Sequence, residues 1–389
     1  MSGPLTGLKI VEMVGIGPGP FAAMMMADLG AEVIRIHPIN ARSDIPTMNT
    51  PADVLARNRK SVAIDIKSSA GKDTLLRLIA KADGMIEGFR PGVMERLGLG
   101  PDICLERNPK LAFGRITGWG QDGPQAQSAG HDINYISVTG LLNAMGVPGQ
   151  APNVPLNLIG DFGGGGMYMA FGLVSAMLNA ARTGRGQVVD AAMIDGAALL
   201  TAMIWGFRAG GVWSDERQDN FLDGGAWYYG TYVCADGKYL AIGPIEGKFR
   251  KIFAEAAGLD DDIFADEDRK LWPVQRARVA GTLARKTRDE WVALFDSSDG
   301  CVSPVLDWNE AQSHPQIIAR QTLIDVAGVV QPAPGPRFSE TPATMPTPPE
   351  KPGANSTEIL ADWGFEQQEI NALIDNGVVQ NTQCLRATL

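Results

Sequence analysis

Residues 8–36 read LKIVEMVGIGPGPFAAMMMADLGAEVIRI, and this stretch decides the fold. It begins with an apolar segment, Leu8 to Met13, that is typical of a short buried strand. After a turn rich in glycine and proline, the pattern predicts a helix over Phe21–Leu29 and a second strand over 31–36. Strand, glycine turn, helix and strand in this order predict the opening of a doubly wound, Rossmann-like α/β domain.

The turn between the first strand and the helix, Gly15–Pro20, raises the alternative of a dinucleotide site. Its glycine spacing does not match the G-x-G-x-x-G pattern that brings backbone N–H groups against a pyrophosphate. Pro18 and Pro20 also remove two N–H donors from the turn. A nicotinamide-dependent oxidoreductase is therefore disfavoured, and we do not expect NAD to bind.

The composition is that of an ordinary globular protein. The chain has 389 residues, of which 45% are hydrophobic and 20% are charged, enough for two domains with sizeable cores. A net charge of −10 makes nucleic acid an unexpected partner. The first residues lack a signal-peptide pattern, and the most apolar region, 188–213, carries charges and glycines that argue against a membrane span. We therefore expect a cytoplasmic protein without a membrane partner.

The cysteines offer no pattern for a metal or a disulfide framework. No two of them have the paired spacing of a zinc site, and no metal is expected. Unpaired cysteines fit a reducing compartment. They are Cys104, Cys234, Cys301 and Cys384.

Composition and proline content divide the chain into three regions. From about Gly211 the chain becomes rich in glycine and aromatic residues, and Asp236-Gly237 between two strand-like segments is a type I′ hairpin signal. Eight prolines between Pro332 and Pro352 exclude helix and indicate an extended strap. We predict a large Rossmann-like domain over 1–210, a smaller α+β domain over 211–331, and a third region over 332–389. This last region should contain the strap, two short helices around Thr357–Trp363 and Gln367–Asp375, and a loose tail from Gln380.

Residues 130–169 carry the candidate chemistry. GHDINY at 130–135 presents His131, one of three histidines, and GDFGGGG at 160–166 presents Asp161 ahead of an apolar helical pattern. A proton-transfer residue and a carboxylate beside an amide-rich turn suggest acid–base chemistry on a group that becomes an oxyanion. The structural alternatives are a hydrogen-bonded surface histidine and an aspartate that only caps a helix.

Four distinctive motifs lie between residues 17 and 166. They are Gly-Pro-Gly-Pro-Phe after the first strand, EGFRPGVMERLGL at 87–99, GHDINY at 130–135 and GDFGGGG at 160–166. Together they resemble the α-methylacyl-CoA racemases of the family III CoA-transferase group. The resemblance implies a Rossmann-like large domain, a smaller α+β domain and a strap that returns to the large domain, in an interlocked homodimer. It also implies a coenzyme A (CoA) thioester substrate and no separate cofactor.

Basic residues are the candidates for the CoA phosphates. Arg57, Arg59 and Lys60 belong to the run RNRKS at 57–61, which is either a solvated loop or a phosphate-binding segment. Arg90 follows a predicted strand, Gly84–Glu87, and open α/β sheets bind ligands at that end of their strands. One departure from the family is His37-Pro38, which stands where an acidic residue and then Arg-Pro or Lys-Pro are usual.

The resemblance implies racemisation at C2 of a 2-methylacyl-CoA thioester through an enolate. In that reaction His131 and Asp161 would act on opposite faces of C2, and Glu246 would orient His131, in cis or across the dimer. Backbone N–H groups of Gly163 and Gly164 are candidates to hold the thioester oxyanion. Residues that follow His131 are expected to contact the CoA substrate, namely Asp132, Asn134 and Tyr135.

Two other functions remain open for the same chain. A family III CoA-transferase would use Asp161 as a nucleophile and form an acyl anhydride. Those enzymes usually lack a histidine at the position of His131, so His131 together with Glu246 favours the racemase. A non-catalytic acyl-CoA binder would show no exchange of the C2 proton.

Overall fold

The computed structural model describes residues 2–40, 47–259, 264 and 268–382. The chain divides into two compact units. The large unit comprises 1–139, 155–200 and 321–389, and the small unit comprises 140–154 and 201–320. The predicted boundaries differ from this division in three places. Segments 140–154 and 201–210 belong to the small unit, and segment 321–331 belongs to the large unit.

The strands are β1 (Lys9–Met13), β2 (Glu32–His37), β3 (Lys60–Ile64), β4 (Gly84–Glu87), β5 (Ala112–Thr117), β6 (Gln187–Ala192), β7 (Gly230–Val233), β8 (Tyr239–Ile242), β9 (Val302–Val305), β10 (Leu323–Val326), β11 (Val329–Pro332) and β12 (Val379–Gln380). The helices are α1 (Pro18–Asp28), α2 (Ser69–Ile79), α3 (Val93–Arg96), α4 (Pro101–Arg107), α5 (Asp132–Val138), α6 (Tyr168–Thr183), α7 (Met193–Leu199), α8 (Ala202–Ala209), α9 (Gly247–Ala257), α10 (Trp272–Leu283), α11 (Arg288–Phe295), α12 (Trp308–Ser313), α13 (Pro315–Ala319), α14 (Ser356–Asp362) and α15 (Gln367–Asp375). A π-helical segment, Leu158–Met167, leads directly into α6.

The large unit is built on a seven-stranded sheet in the order β12-β3-β2-β1-β4-β5-β6. Strands β1 to β6 are parallel, and β12 joins antiparallel at one edge. Val11 and Ile34 pair in register and pack into the core on one face, whereas Ile10 and Val33 pack into the core on the other. A parallel sheet covered on both faces explains why these strands are continuously apolar. The predicted α/β fold is confirmed.

Two helices differ from their predicted bounds for identifiable reasons. Helix α1 begins at Pro18, earlier than expected, because a proline in the first turn needs no N–H partner and already has a helical φ. The apolar pattern from Ile194 to about Phe207 predicts one helix, but the structure has two, α7 and α8. After Asp161 the pattern predicts a helix to about Ala181 with Gly184 in the region of its C-cap, and Gly184 follows α6 with a left-handed φ of 74°.

The C-terminal region packs on the large unit. Segment 333–352 forms no helix or strand, and the Asn58 side chain accepts the N–H of Thr347 at 2.7 Å. Lys60 binds Glu358 of α14 at 2.8 Å. The prediction of a loose tail from Gln380 is wrong at its start, because Gln380 pairs with Ala63 and completes the edge of the sheet. Residues 383–389 lie outside the described part of the chain.

The small unit contains the antiparallel sheet β7-β8-β9, with a core of aromatic and aliphatic side chains from α9, α10 and α11. The predicted hairpin at Asp236-Gly237 joins β7 and β8, but only Gly237 of the pair has a positive φ, of 75°. The Cys234 N–H donates to the Lys238 carbonyl at 2.8 Å, and the Gly237 N–H donates to the Cys234 carbonyl at 3.0 Å. This is a type I turn with a glycine bulge, not type I′.

Among the described residues, none of the helices combines the length and apolarity needed to cross a bilayer.

Candidate active site

The candidate site lies where α5 and the π-helical segment begin, next to the turn between β1 and α1. The π-helical segment packs closely on α1, α5 and α7. A Cβ placed on Gly17, just before α1, would lie 3.4 Å from Oδ2 of Asp161. Topology therefore brings Asp161 to the carboxyl end of β1, where open α/β sheets bind ligands.

His131 is the residue immediately before α5, and it is exposed. Its backbone N–H donates to Oδ1 of Asn134 at 3.0 Å, so Asn134 closes the first turn of the helix. Asp132, the next residue in the chain, accepts the backbone N–H of Asp161 at 2.7 Å, so the two segments meet beside His131, and a charge on the His131 imidazole would lower the pKa of the Asp161 carboxyl. The structure thus brings together the two residues that the sequence singled out for proton transfer.

Asp161 is half-buried and is held by two hydrogen bonds. Its backbone N–H donates to Oδ2 of Asp132 at 2.7 Å, and its own Oδ2 accepts from Nδ2 of Asn157 at 3.1 Å. Burial raises the pKa of the Asp161 carboxyl, and the charge of Asp132 raises it further, against the opposing effects of Asn157 and His131. A carboxyl group that takes a proton more readily suits a residue that must both remove and return one.

Asp132 and Tyr135 have structural contacts in place of the predicted contacts with CoA. Asp132 is only 3% exposed, and its carboxylate is directed to the backbone of Asp161. The Tyr135 hydroxyl donates to the Gly130 carbonyl, and its ring stands edge-on to Trp119 with centroids 5.0 Å apart. Burial raises the pKa of Tyr135 to about 12, so the phenol stays protonated. Asp132 and Tyr135 therefore support the site from within the fold, whereas the side chain of Asn134 is exposed and its predicted contact with the substrate stays a prediction.

The glycine run allows close packing and does not supply the predicted oxyanion donors. Within a π-helix each N–H bonds the carbonyl five residues earlier, so the amides of Gly163 and Gly164 are used inside the segment. A Cβ on Gly164 would lie 2.5 Å from the backbone nitrogen of Ala197 in α7. A Cβ on Gly166 would lie 2.6 Å from the ring of Phe21 in α1. The glycines are needed because two helices approach the segment at backbone distance.

Arg57 is buried in an ion pair and is not available for a phosphate. Its guanidinium contacts both carboxylate oxygens of Asp28, at 3.1 and 2.5 Å, and donates to Gln331 and to the carbonyl of Pro332. Only 2% of the residue is exposed. The prediction that Arg57 contacts CoA is therefore wrong. Arg57 instead joins β11 to α1, because its guanidinium binds the Asp28 carboxylate of α1 and the Gln331 side chain of β11.

Arg59 and Lys60 are also engaged by carboxylates. Arg59 donates to Glu12 of β1 at 2.7 Å, and its complete burial lowers its pKa to about 10. Lys60 holds α14 through Glu358. Arg59 is buried, so its predicted contact with CoA is replaced by the ion pair with Glu12. Lys60 is partly exposed, and its predicted contact with CoA stays a prediction. His37, at the end of β2, is buried near Arg35 and Arg59, and burial lowers its pKa to about 3.

Arg90 keeps its place as a phosphate-binding candidate. It follows β4 directly, it is exposed, and its guanidinium makes no hydrogen bond or ion pair within the described residues. Glu246 precedes α9 in the small unit and is exposed. In the part of the chain that the structure describes, no three His, Cys, Asp or Glu side chains come together as a metal site would require.

Asn157 is the residue of the site that the sequence analysis missed. It is exposed, and it follows Leu156, whose φ of 60° is unusual for a leucine. Its spacing of four residues before Asp161 is the one signal in the sequence, since side chains four apart meet on a helical turn.

Comparisons with known proteins identify the family of the chain. The chain is 40% identical to the alpha-methylacyl-CoA racemase of Mus musculus, over 99% of this chain and 100% of the relative. It is 38% identical to the alpha-methylacyl-CoA racemase of Homo sapiens, over 97% and 98% of the two chains. Among solved structures, a CAIB/BAIF family protein from Brucella suis superposes with a TM-score of 0.79 at 26% identity, covering 93% of this chain and 100% of that one. The model of CoA-transferase family III matches residues 5–356, and the chain therefore belongs to this family.

Proposed function

We propose that the protein racemises 2-methylacyl-CoA thioesters at C2 by transferring a proton between two bases. The observation that carries the proposal is the meeting of His131 and Asp161 at the starts of two helical segments, linked by the Asp132–Asp161 hydrogen bond. The likeness to two racemases over nearly the full length supports the same reaction. The acyl chain of the natural substrate is left open.

The reaction needs a base on each face of C2. The C2 hydrogen is weakly acidic because the thioester carbonyl accepts the electrons of the broken C–H bond and forms an enolate. One base removes the proton from its face, and the conjugate acid of the other delivers a proton to the opposite face. The raised pKa of Asp161 helps that carboxyl to act as donor as well as acceptor. No electrons are exchanged with a second reactant, so we propose that no separate cofactor takes part.

A homodimer is part of the proposal. The large unit exposes large apolar side chains along one helix and near the end of another: Phe171 is 74% exposed, Leu178 60% and Leu199 61%. Exposed apolar side chains of this size are typical of protein interfaces. The role of Glu246 as the residue that orients His131 and the location in the cytoplasm remain predictions.

The decisive experiment follows a single epimer of a 2-methylacyl-CoA in D2O by NMR. We expect deuterium to appear at C2 together with inversion, from either starting epimer. A CoA-transferase would require an acceptor acid and would form an acyl adduct on Asp161. Trapping of such an adduct by hydroxylamine, without exchange at C2, would show that the family's other chemistry operates here.

A further inference from the structure

We propose that Asn157 is a positioning residue of the acid–base pair, which holds Oδ2 of Asp161 so that Oδ1 is the oxygen that exchanges the proton of C2. This inference rests on the proposed racemisation and adds to it one residue and one atom. It concerns a side chain that touches Asp161 and need not touch the substrate.

Two contacts distinguish the carboxylate oxygens of Asp161. Oδ2 accepts from Nδ2 of Asn157 at 3.1 Å. The same oxygen faces the turn between β1 and α1, where a Cβ on Gly17 would lie only 3.4 Å away. Oδ1 makes no hydrogen bond within the described residues. One oxygen is therefore held and the other has no partner among those residues, so Oδ1 is the oxygen with both lone pairs open to a C–H bond.

The backbone under Asp161 is held independently of Asn157. The Asp132 carboxylate accepts the Asp161 N–H, and Gly160 packs so tightly that a Cβ there would lie 2.9 Å from Oδ2 of Asp132. Because the backbone of Asp161 is fixed in this way, the Asp161 side chain can move only by rotating about its own bonds. The hydrogen bond from Asn157 limits this rotation. An amide is suited to this task because it donates a hydrogen bond without adding charge.

The hydrogen bond has a predictable electrostatic effect. A donor that bonds the charged form of a carboxyl favours ionisation, and Asn157 accordingly lowers the pKa of Asp161 against the rise caused by burial. From α5, the ionisable groups that act on Asp161 are Asp132 and His131, and Asp161 in turn acts on Tyr135. The other elements packed against the π-helical segment also carry ionisable groups, and these interact with other residues. Asp28 of α1 pairs with Arg57, and Arg115 of β5 pairs with Glu87 and Glu95. Asp190 of β6 accepts from the Gln121 backbone and lies near Asp195.

The test compares wild type with Asn157→Ala, Asn157→Asp and a control, Gln367→Ala. The control removes another exposed side-chain amide bond between residues four apart, from Gln367 to Asn371 of α15 at 2.9 Å. The first readout is the pKa of the Asp161 carboxyl, measured by NMR of carboxyl-labelled aspartate and assigned with Asp161→Asn. The second is the pH dependence of C2 deuterium exchange, measured for each epimer with a 2-methylacyl-CoA.

In Asn157→Ala we expect the pKa of Asp161 to rise by about one pH unit, because the donor to the ionised form is lost. Exchange of the epimer that Asp161 deprotonates should then fall about tenfold on the acid side of its profile, with little change in KM. Asn157→Asp should shift both readouts further in the same direction, since a second carboxylate disfavours ionisation. Gln367→Ala should match wild type in both.

Each other outcome overturns a separate part of the proposal. An Asp161 pKa that is the same in wild type and both Asn157 variants would disprove the positioning role, whatever reaction the protein catalyses. If the pKa of Asp161 changes in the Asn157 variants but wild type exchanges no C2 proton, the hydrogen bond is present and its proposed role in racemisation is disproved. Equal effects of Asn157→Ala on both epimers at all pH values would disprove that Asn157 acts through Asp161 as the base of one face.

Discussion

Oδ2 of Asp132 accepts the backbone N–H of Asp161 at 2.7 Å, so the residue next to His131 in the chain determines where Asp161 stands. Two segments that are 29 residues apart in sequence are joined at this hydrogen bond. Any movement of α5 therefore moves the start of the π-helical segment with it. The segments that carry the two bases are therefore joined by a contact within the fold itself.

Replacing Asp132 with asparagine should lower the pKa of Asp161, because the negative charge of Asp132 raises it. The base form of Asp161 then persists to lower pH, and the acid limb of the exchange profile should move to lower pH. This direction is opposite to that expected for Asn157→Ala. A profile that moves to higher pH in Asp132→Asn would show that lost geometry outweighs lost charge.

The two bases should be separable by stereochemistry. In D2O, Asp161→Asn should still exchange one epimer slowly and without inversion, and His131→Ala should do so for the opposite epimer. General acid–base groups typically contribute about 10²–10⁴-fold each, so turnover should fall by about that factor. Glu246→Gln should resemble a weakened His131→Ala. Loss of exchange on the same epimer in both single variants would mean that the residues do not flank C2.

Gly164→Ala should destabilise the protein, because its Cβ would lie 2.5 Å from the backbone nitrogen of Ala197. Overpacking against backbone costs about 1–3 kcal/mol in the free energy of unfolding, which urea denaturation would measure. Gly281→Ala is the matched control, since a Cβ there, in the last turn of α10, meets nothing within 4 Å. The control should be neutral or slightly stabilising, by about 0.5–1 kcal/mol. Equal effects of the two substitutions would contradict close packing as the reason for the glycine run.

Arg57→Ala should act on stability far more than on CoA binding. It leaves the carboxylate of Asp28, which is only 4% exposed, without its bidentate partner. Breaking a buried ion pair in this way costs about 3–5 kcal/mol. Lys60→Ala, which breaks a partly exposed pair with Glu358, should cost no more than about 1 kcal/mol. A folded Arg57→Ala variant with normal stability and weak CoA binding would restore the phosphate-binding prediction.

Arg90→Ala should weaken CoA binding and reduce its dependence on salt. Arg90 is exposed and lies after β4, and contacts between exposed charges weaken as salt screens them. Calorimetry of CoA binding at two salt concentrations would measure both effects, with Arg107→Ala on α4 as the control for loss of an exposed arginine. Affinity that is unchanged in Arg90→Ala at low salt would remove this residue from the phosphate site.

The sequence by itself determined the fold class and the main candidates for catalysis. Apolar runs such as Leu8 to Met13 could be assigned to buried strands because a parallel sheet covered on both faces needs them. Local signals also placed α15 and the helix end at Gly184, because caps and periodicity act within a few residues of the chain. His131 and Asp161 stood out because their residue types and their glycine-rich surroundings are visible without the fold.

Only the tertiary structure decided what the charged and glycine residues do. The basic run at 57–61 predicts phosphate ligands, but the carboxylate partners of Arg57 and Arg59 come from α1 and β1, which are distant in the chain. The glycine run predicts an oxyanion site, but its glycines are required by the close approach of α1 and α7. An ion pair or a backbone contact depends on which elements meet, and that information is absent from any local stretch of sequence. Asn157 was missed for the same reason, because its role exists only when the chain between it and Asp161 is wound into a helical turn.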